Sequence, residues 1–169
     1  NGADCAGARM TALHMLAQQI IRDEKSIRTP GYNRYYKHPS KIISLESIIL
    51  EQRFRTSEVN RRPDIVGIKH DKDGIKHELW IEIRVSHAID KEKKHDIEKL
   101  GAICMEINLS ALLGDNYTEE SIRTALFEKD DNKEWINYPL LFRKNDTAKR
   151  KKEQEEKEAE QGRLDKLAR

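Results

Sequence analysis

Three charged side chains on two short segments could do chemistry together. Asp64 lies in "RRPDIVGIK", and Glu82 and Arg84 lie two apart in "ELWIEIRVSH". Two carboxylates held side by side repel unless a proton or a cation sits between them. A hard divalent cation suits such a pair, because Mg²⁺ prefers oxygen ligands and keeps several of its waters. It would polarise a phosphoryl oxygen and activate water. An arginine beside it would stabilise the charge that develops on a phosphate. Arg84 cannot act as a proton-transferring base, so its role there would be electrostatic. Against this stand a charged strand face kept for solubility and a plain Arg84–Glu82 salt bridge.

Whether the acids meet depends on the "HDKDG" turn between them. Taken as a three-residue loop, Lys72-Asp73-Gly74 is a type I turn followed by a left-handed residue, where glycine carries no penalty. Asp64 then lies opposite Glu82, Arg62 opposite Arg84 and Val66 opposite Trp80. Directly opposed residues share a face, with Cβ atoms about 4.5–5.5 Å apart. Ile65, Ile81 and Ile83 would fill the other face as core. A two-residue Asp73-Gly74 loop would shift the register by one and separate the acids.

The elements that must hold this hairpin are readable around it. From Arg9 to Lys25 the apolar residues Met10, Leu13, Ala17, Ile20 and Ile21 form a helical stripe, with His14 at its border. "RTPGYNRYYKHPS" is a loop by its prolines and glycine. Its tyrosines 32, 35 and 36, near Arg34 and Lys37, either stack on bases or anchor the loop. "KIISLESIILEQRF", residues 41–54, favours a strand. Asp90 as N-cap and Gly101 after the last turn bound a helix over 91–100. "AICMEINLS" is a strand with Ile103, Met105, Ile107 and Leu109 on one face, and Cys104 is expected to be buried there. Thr118 to Phe127 is a further helix, and "NKEWINYPLLF" an apolar docking segment with a proline stop. Strand alternation places His87 away from Glu82 unless the strand ends or bulges at Ser86. Lys91, Lys93 and Lys94 form a solvated helix face.

Helix, three strands, helix, strand makes an α/β (α+β mixed sheet) fold, with antiparallel pairing among the first three strands and a parallel crossover to the last. Residues 1–8 are expected to be a tail, 9–142 one domain and 143–169 a charged helical extension. In that extension i, i+4 ion pairs are frequent and apolar residues too sparse for a heptad seam, so it is expected to be an exposed, fraying connector.

Composition narrows the class. The chain has 169 residues, 37% charged and 37% hydrophobic, with a formal net charge of +2. That balance neither demands nor excludes nucleic acid, because steering depends on where charge sits. Cys5 and Cys104 suit no disulfide framework or zinc spacing, so a reducing, cytoplasmic setting is expected. No stretch has the apolar length of a membrane span. The opening "NGADCAG", without methionine or signal pattern, is expected of a fragment of a longer polypeptide.

Pro63-Asp64 followed by Glu82-Ile83-Arg84 resembles the PD-(D/E)xK phosphodiesterase superfamily. With "TALHMLAQQII", "RRPDIVGI", "IEIRVSHAIDKEK", "EINLS" and "WINYP" in order over roughly residues 11 to 139, the chain is most similar to the CoiA-like competence nuclease family. The ordered set is more specific than any one piece. The resemblance implies a restriction-endonuclease-like αβββαβ core and Mg²⁺- or Mn²⁺-dependent cleavage of nucleic acid, DNA before RNA. It implies Asp64 and Glu82 as metal ligands, with the Ile83 carbonyl a candidate third. Two departures accompany it. Arg84 stands where the third motif element usually has lysine. The first helix reads "RMTALH", without the acid that related enzymes often carry there. Glu51 is a candidate replacement carboxylate, Lys93 a candidate relocated lysine, and His14 a candidate site residue. A nuclease-like module that only binds nucleic acid or a protein partner is the alternative, and a purely structural module a third reading. A homodimer or further domains of a longer chain are compatible with either.

Overall fold

A computed structural model describes residues 2–114 and 116–169, with side chains from residue 7 onward, so the side chain of Cys5 lies outside the described residues. Helix α1 (Gly2–Glu24) buries the expected stripe of Leu13, Ala17, Ile20 and Ile21, and it begins within the residues expected to be a tail. After α1 comes a short strand β1 (Ser26–Arg28), and the segment expected as a loop holds two short strands, β2 (Tyr32–Asn33) and β3 (Lys37–His38), paired as a hairpin.

The single strand expected over 41–54 is two, β4 (Ile42–Ser44) and β5 (Ser47–Leu50). β4 pairs with β1, whereas β5 pairs with β8 (Ile65–His70). Leu45 at the break explains the change of partner. It is buried and packs against Gly67 of β8, where any added Cβ would lie 2.6 Å from its Cδ1. Between β5 and β8 lies a small hairpin, β6 (Phe54–Arg55) and β7 (Asn60–Arg61).

β8 and β9 (Lys76–Arg84) form the expected hairpin in the expected register, with Ile65 opposite Ile81 and His70 opposite Lys76. Asp71 sets it. Its carboxylate accepts from the backbone N–H groups of Asp73 (2.9 Å) and Ile75 (3.0 Å), while Gly74 takes φ +78°. That side-chain mimic of a turn, together with glycine in the left-handed region, selects the three-residue loop.

Helix α2 (Lys91–Leu100) has both expected caps: the Asp90 side chain accepts from Lys93 N, and Gly101 ends the helix at φ +65°. β10 (Ile103–Asn108) then runs parallel to β9, with Glu106 beside Glu82. A 3₁₀ turn (Ser110–Gly114) leads to α3 (Glu119–Arg123). The helix expected to reach Phe127 changes there to a π turn (Thr124–Glu128), closed by Lys129 N–H to Thr124 O at 3.1 Å. The buried Lys133 amine donates to Ala125 O at 2.7 Å and also to Lys129 O, which satisfies carbonyls at that turn.

β11 (Lys133–Asn137) pairs antiparallel with β10 and completes a five-stranded mixed sheet in the order β11-β10-β9-β8-β5. Pro139 opens helix α4 (Pro139–Leu167) and does not act as a stop. Its fixed φ suits the first helical position, where a backbone donor would be unpaired in any case. Leu141 and Asn145 are buried, so α4 is anchored on the body before its charged length begins. The mixed α+β architecture thus contains four α-helices among the described residues, none long and apolar enough to cross a membrane.

Two apolar layers sandwich the sheet. Leu13, Ile21, Ile65, Ile81, Met105 and Leu126 fill the α1 side. On the other side α2 lays Ile97 over Val66, Trp80, Cys104 and Ile136. The even-numbered positions of β8 and β9 face α2, which decides where the charged residues emerge.

Candidate functional site

β8 begins just after Asp64, and β9 ends two residues after Glu82. The acids therefore sit at one end of the sheet, where both α1 and α2 can reach them. An open cleft of about 290 Å³ forms there, and its walls include His14, Asp64, Glu82, Arg84, Lys93 and Glu106.

Asp64 is fixed from three directions. Its Oδ2 accepts from the Ile83 N–H at 2.7 Å and lies 3.2 Å from His14 Nε2. Its backbone carbonyl accepts from Gln18 Nε2 at 3.0 Å. Burial alone would raise its pKa, but the bonds from His14 and Ile83 outweigh that, so the net direction is downward. His14 moves the other way: its bond to Asp64 raises its pKa against burial. α1 thus contributes a histidine to the acid pair.

Glu82 is only 4% exposed. Burial first, and the Asp64 charge second, push its carboxyl from 4.5 up to about 7, although Lys93 opposes both. The two carboxyls are pushed in opposite directions: burial and the Asp64 charge raise Glu82, while the bonds from His14 and Ile83 lower Asp64. Lys93 Nζ lies 2.9 Å from Glu82 Oε2. Lys93 is not simply on a solvated face. It lies one turn before Ile97 on α2, and the buried Ile97 fixes that turn above the site.

Arg84 shows a different pairing from the one expected. Its Nη1 is 3.9 Å from Glu106 Oε1 on the neighbouring strand, while its Nε is buried without a partner among the described residues. Sequence reasoning missed Glu106. It is 4% exposed, its pKa is raised chiefly by burial, and its Oε2 accepts from Ile89 N–H at 3.1 Å. The signal was present: alternation puts Glu106 opposite Met105 and Ile107, and a parallel partner strand aligns it with Glu82. Arg62 is exposed, and it is Arg61 that reaches α2, with Nε 2.6 Å from Asp96 Oδ2.

Ile83 turns its side chain into the core and offers only its main chain to the site. Glu51 follows β5 at φ +52°, donates its N–H to Asp64 O at 3.1 Å and raises His14 through space. Its own side chain is exposed and not part of the cleft wall. His87 does line the cleft: β9 ends at Arg84, so strand alternation no longer governs it. Cys104 is buried, with its thiol pKa pushed up by burial.

A divalent cation fits this donor set. Glu82 Oε1 is buried and has no hydrogen-bond partner among the described residues. Among these residues no group of three or more His, Cys, Asp or Glu side chains is arranged to hold a metal. A cation at the pair would therefore take two carboxylates and complete its shell from main-chain carbonyl and water, as Mg²⁺ commonly does. No protein-family model, curated protein or solved structure matches the chain.

Proposed function

We propose that the protein is a Mg²⁺- or Mn²⁺-dependent nuclease that hydrolyses phosphodiester bonds, with DNA the preferred substrate. The observation that carries this reading is the Asp64–Glu82 carboxyl pair at the sheet end, with Lys93 2.9 Å from Glu82 and a partnerless Arg84 Nε nearby. The order α1, β5, β8, β9, α2, β10 supports it, since it is the αβββαβ order the resemblance implies.

Asp64 and Glu82 would hold the cation, which supplies Lewis-acid polarisation of a phosphoryl oxygen and activation of water when bound. Every other role falls to the chain itself. The Ile83 N–H and His14 orient Asp64. Lys93 holds Glu82 towards its ionised form and remains within reach of an anionic substrate. Arg84, one-third exposed and held loosely by Glu106, offers its outer guanidinium nitrogens to a phosphate oxygen. Lys93 thus takes the place of the usual motif lysine, reached from α2 and not from β9.

A binding module without catalysis is favoured by one observation: among the described residues no group of three His, Cys, Asp or Glu side chains is arranged to hold a metal, and Glu106 beside Glu82 is taken up by Ile89 N–H and Arg84. One experiment separates the two. Supercoiled plasmid, linear duplex, single-stranded DNA and RNA are incubated with the protein in Mg²⁺, Mn²⁺ or EDTA. Cleavage that needs metal and is lost in Glu82→Ala establishes the nuclease. Binding without cleavage, indifferent to EDTA and to Glu82→Ala, establishes the module.

A further inference from the structure

A second charged surface lies at the opposite end of the sheet. β11 runs antiparallel to β10 and brings Asn137 beside Cys104, so α4 starts at the end away from the Glu82 cleft. The β2–β3 hairpin docks there. The Tyr36 N–H donates to the buried Asn145 Oδ1 of α4 at 3.1 Å, and the Tyr32 and Phe142 rings lie 5.9 Å apart. Pinned in this way, the hairpin tip presents Tyr35, which is 48% exposed.

Cations surround the tyrosines. Lys152 of α4 lies 5.8 Å from the Tyr35 ring centroid, Lys144 5.3 Å from Tyr36, and Arg34 5.6 Å from Tyr32. The charge on α4 is segregated. Residues 143–152 hold six Lys or Arg and one Asp, whereas residues 153–160 hold five Glu and one Lys. Helix stability favours the reverse order, with acids towards the N-terminus and glutamate preceding lysine. The ion pairs that join the basic half to the acidic half, Lys149–Glu153 and Lys151–Glu155, are long at 3.9 Å each and run in the weaker direction, whereas Arg163–Glu160 further along pairs in the favoured one. Helix stability therefore does not explain the basic first half, which is the charge a polyanion would meet.

We propose that the β2–β3 tip and the first half of α4 form a binding ridge for single-stranded nucleic acid. Tyr35 stacks on a base, while Arg34, Lys144 and Lys152 contact the flanking phosphates. An exposed aromatic among cations selects unpaired bases, because a duplex keeps its base faces covered. The ridge deepens the nuclease reading by naming the form of substrate, and it rests on that reading only for what happens after binding.

The test is fluorescence anisotropy with labelled 20-mers of single-stranded DNA, single-stranded RNA and duplex DNA, all in EDTA, plus anionic phosphatidylserine vesicles. Proteins compared are the full chain, Tyr35→Ala, Tyr35→Phe and Lys144→Gln/Lys152→Gln. Circular dichroism confirms folding of each. Tyr35→Ala is expected to weaken single-strand binding by about 5- to 150-fold, the range for loss of one stacked base. Tyr35→Phe is expected to retain it. The double lysine variant is expected to flatten the slope of log K against log salt by about 1.4, at about 0.7 per phosphate contact. Every arm is read as binding in EDTA, so a failure of the nuclease reading leaves this result intact. Whichever of the DNA and RNA strands binds more tightly identifies the source. Undetectable binding, preference for duplex, binding to vesicles alone, or single-strand affinity unchanged in folded Tyr35→Ala and Lys144→Gln/Lys152→Gln would overturn the ridge.

Discussion

Replacing Glu82 with glutamine removes a carboxyl that the fold holds far above its ordinary range. Glu82 is raised from 4.5 to about 7 by burial and by Asp64. Between those values the folded state binds a proton that the unfolded chain has released, so stability falls as pH rises. Each pKa unit corresponds to about 1.4 kcal/mol, so the loss between pH 5 and 8 in EDTA is expected to be about 2–3 kcal/mol, most of the full linkage. His14, also raised, loses stability in the same direction above 6.5. Asp64 is lowered, so its contribution is present above 3.8 and lost only in stronger acid. Urea unfolding of the parent and of Glu82→Gln at pH 5, 6, 7 and 8 isolates the Glu82 part as the difference between two curves. The parent is expected to lose about 2–3 kcal/mol more than the variant across this window. Millimolar Mn²⁺ is expected to remove most of that difference, because a cation replaces the proton. Parallel curves in EDTA would refute the idea that the fold holds a proton on Glu82 above its ordinary range.

Lys93→Met removes the cation 2.9 Å from Glu82; metal-dependent cleavage is expected to fall about 10²- to 10³-fold, with the pH step in stability moved upward, both read from steady-state rates and urea curves. Ile97→Ala, at a position with no exposure over the Trp80 layer, is expected to cost about 2–5 kcal/mol by denaturant midpoint and to lower cleavage further than stability alone explains, because α2 no longer aims Lys93. Gly67→Ala sets a Cβ 2.6 Å from Leu45 and is expected to cost about 1–3 kcal/mol, partly recovered by a second change, Leu45→Val.

The register at the centre of the site was legible because its cause is local. Asp71 and Gly74 lie within the turn they determine, and the alternation of Ile65, Ile81 and Ile83 agrees with them. The α2 boundaries were legible for the same reason, through Asp90 and Gly101. Arg84's partner was not, since it depends on the neighbouring strand that brings Glu106 alongside Glu82. Lys93 was readable only as a candidate, because its aim depends on how Ile97 seats α2 on the sheet. The division of residues 41–54 escaped notice because the isoleucines on either side of Leu45 look alike, and only Gly67 across the sheet shows where the chain must turn inward. Pro139 marks either an end or a beginning, and the choice rests on Leu141 and Asn145 finding buried partners.

The most direct measurement is calorimetric titration of the EDTA-stripped, dialysed chain with Mn²⁺ at pH 6 and pH 8, in buffers of differing ionisation enthalpy. Asp64 and Glu82 as joint ligands require one Mn²⁺ per chain, release of about one proton at pH 6 and less at pH 8, and affinity at least about tenfold weaker in Glu82→Gln. No binding to the parent chain, or binding unchanged by Glu82→Gln, would contradict a metal site at the pair.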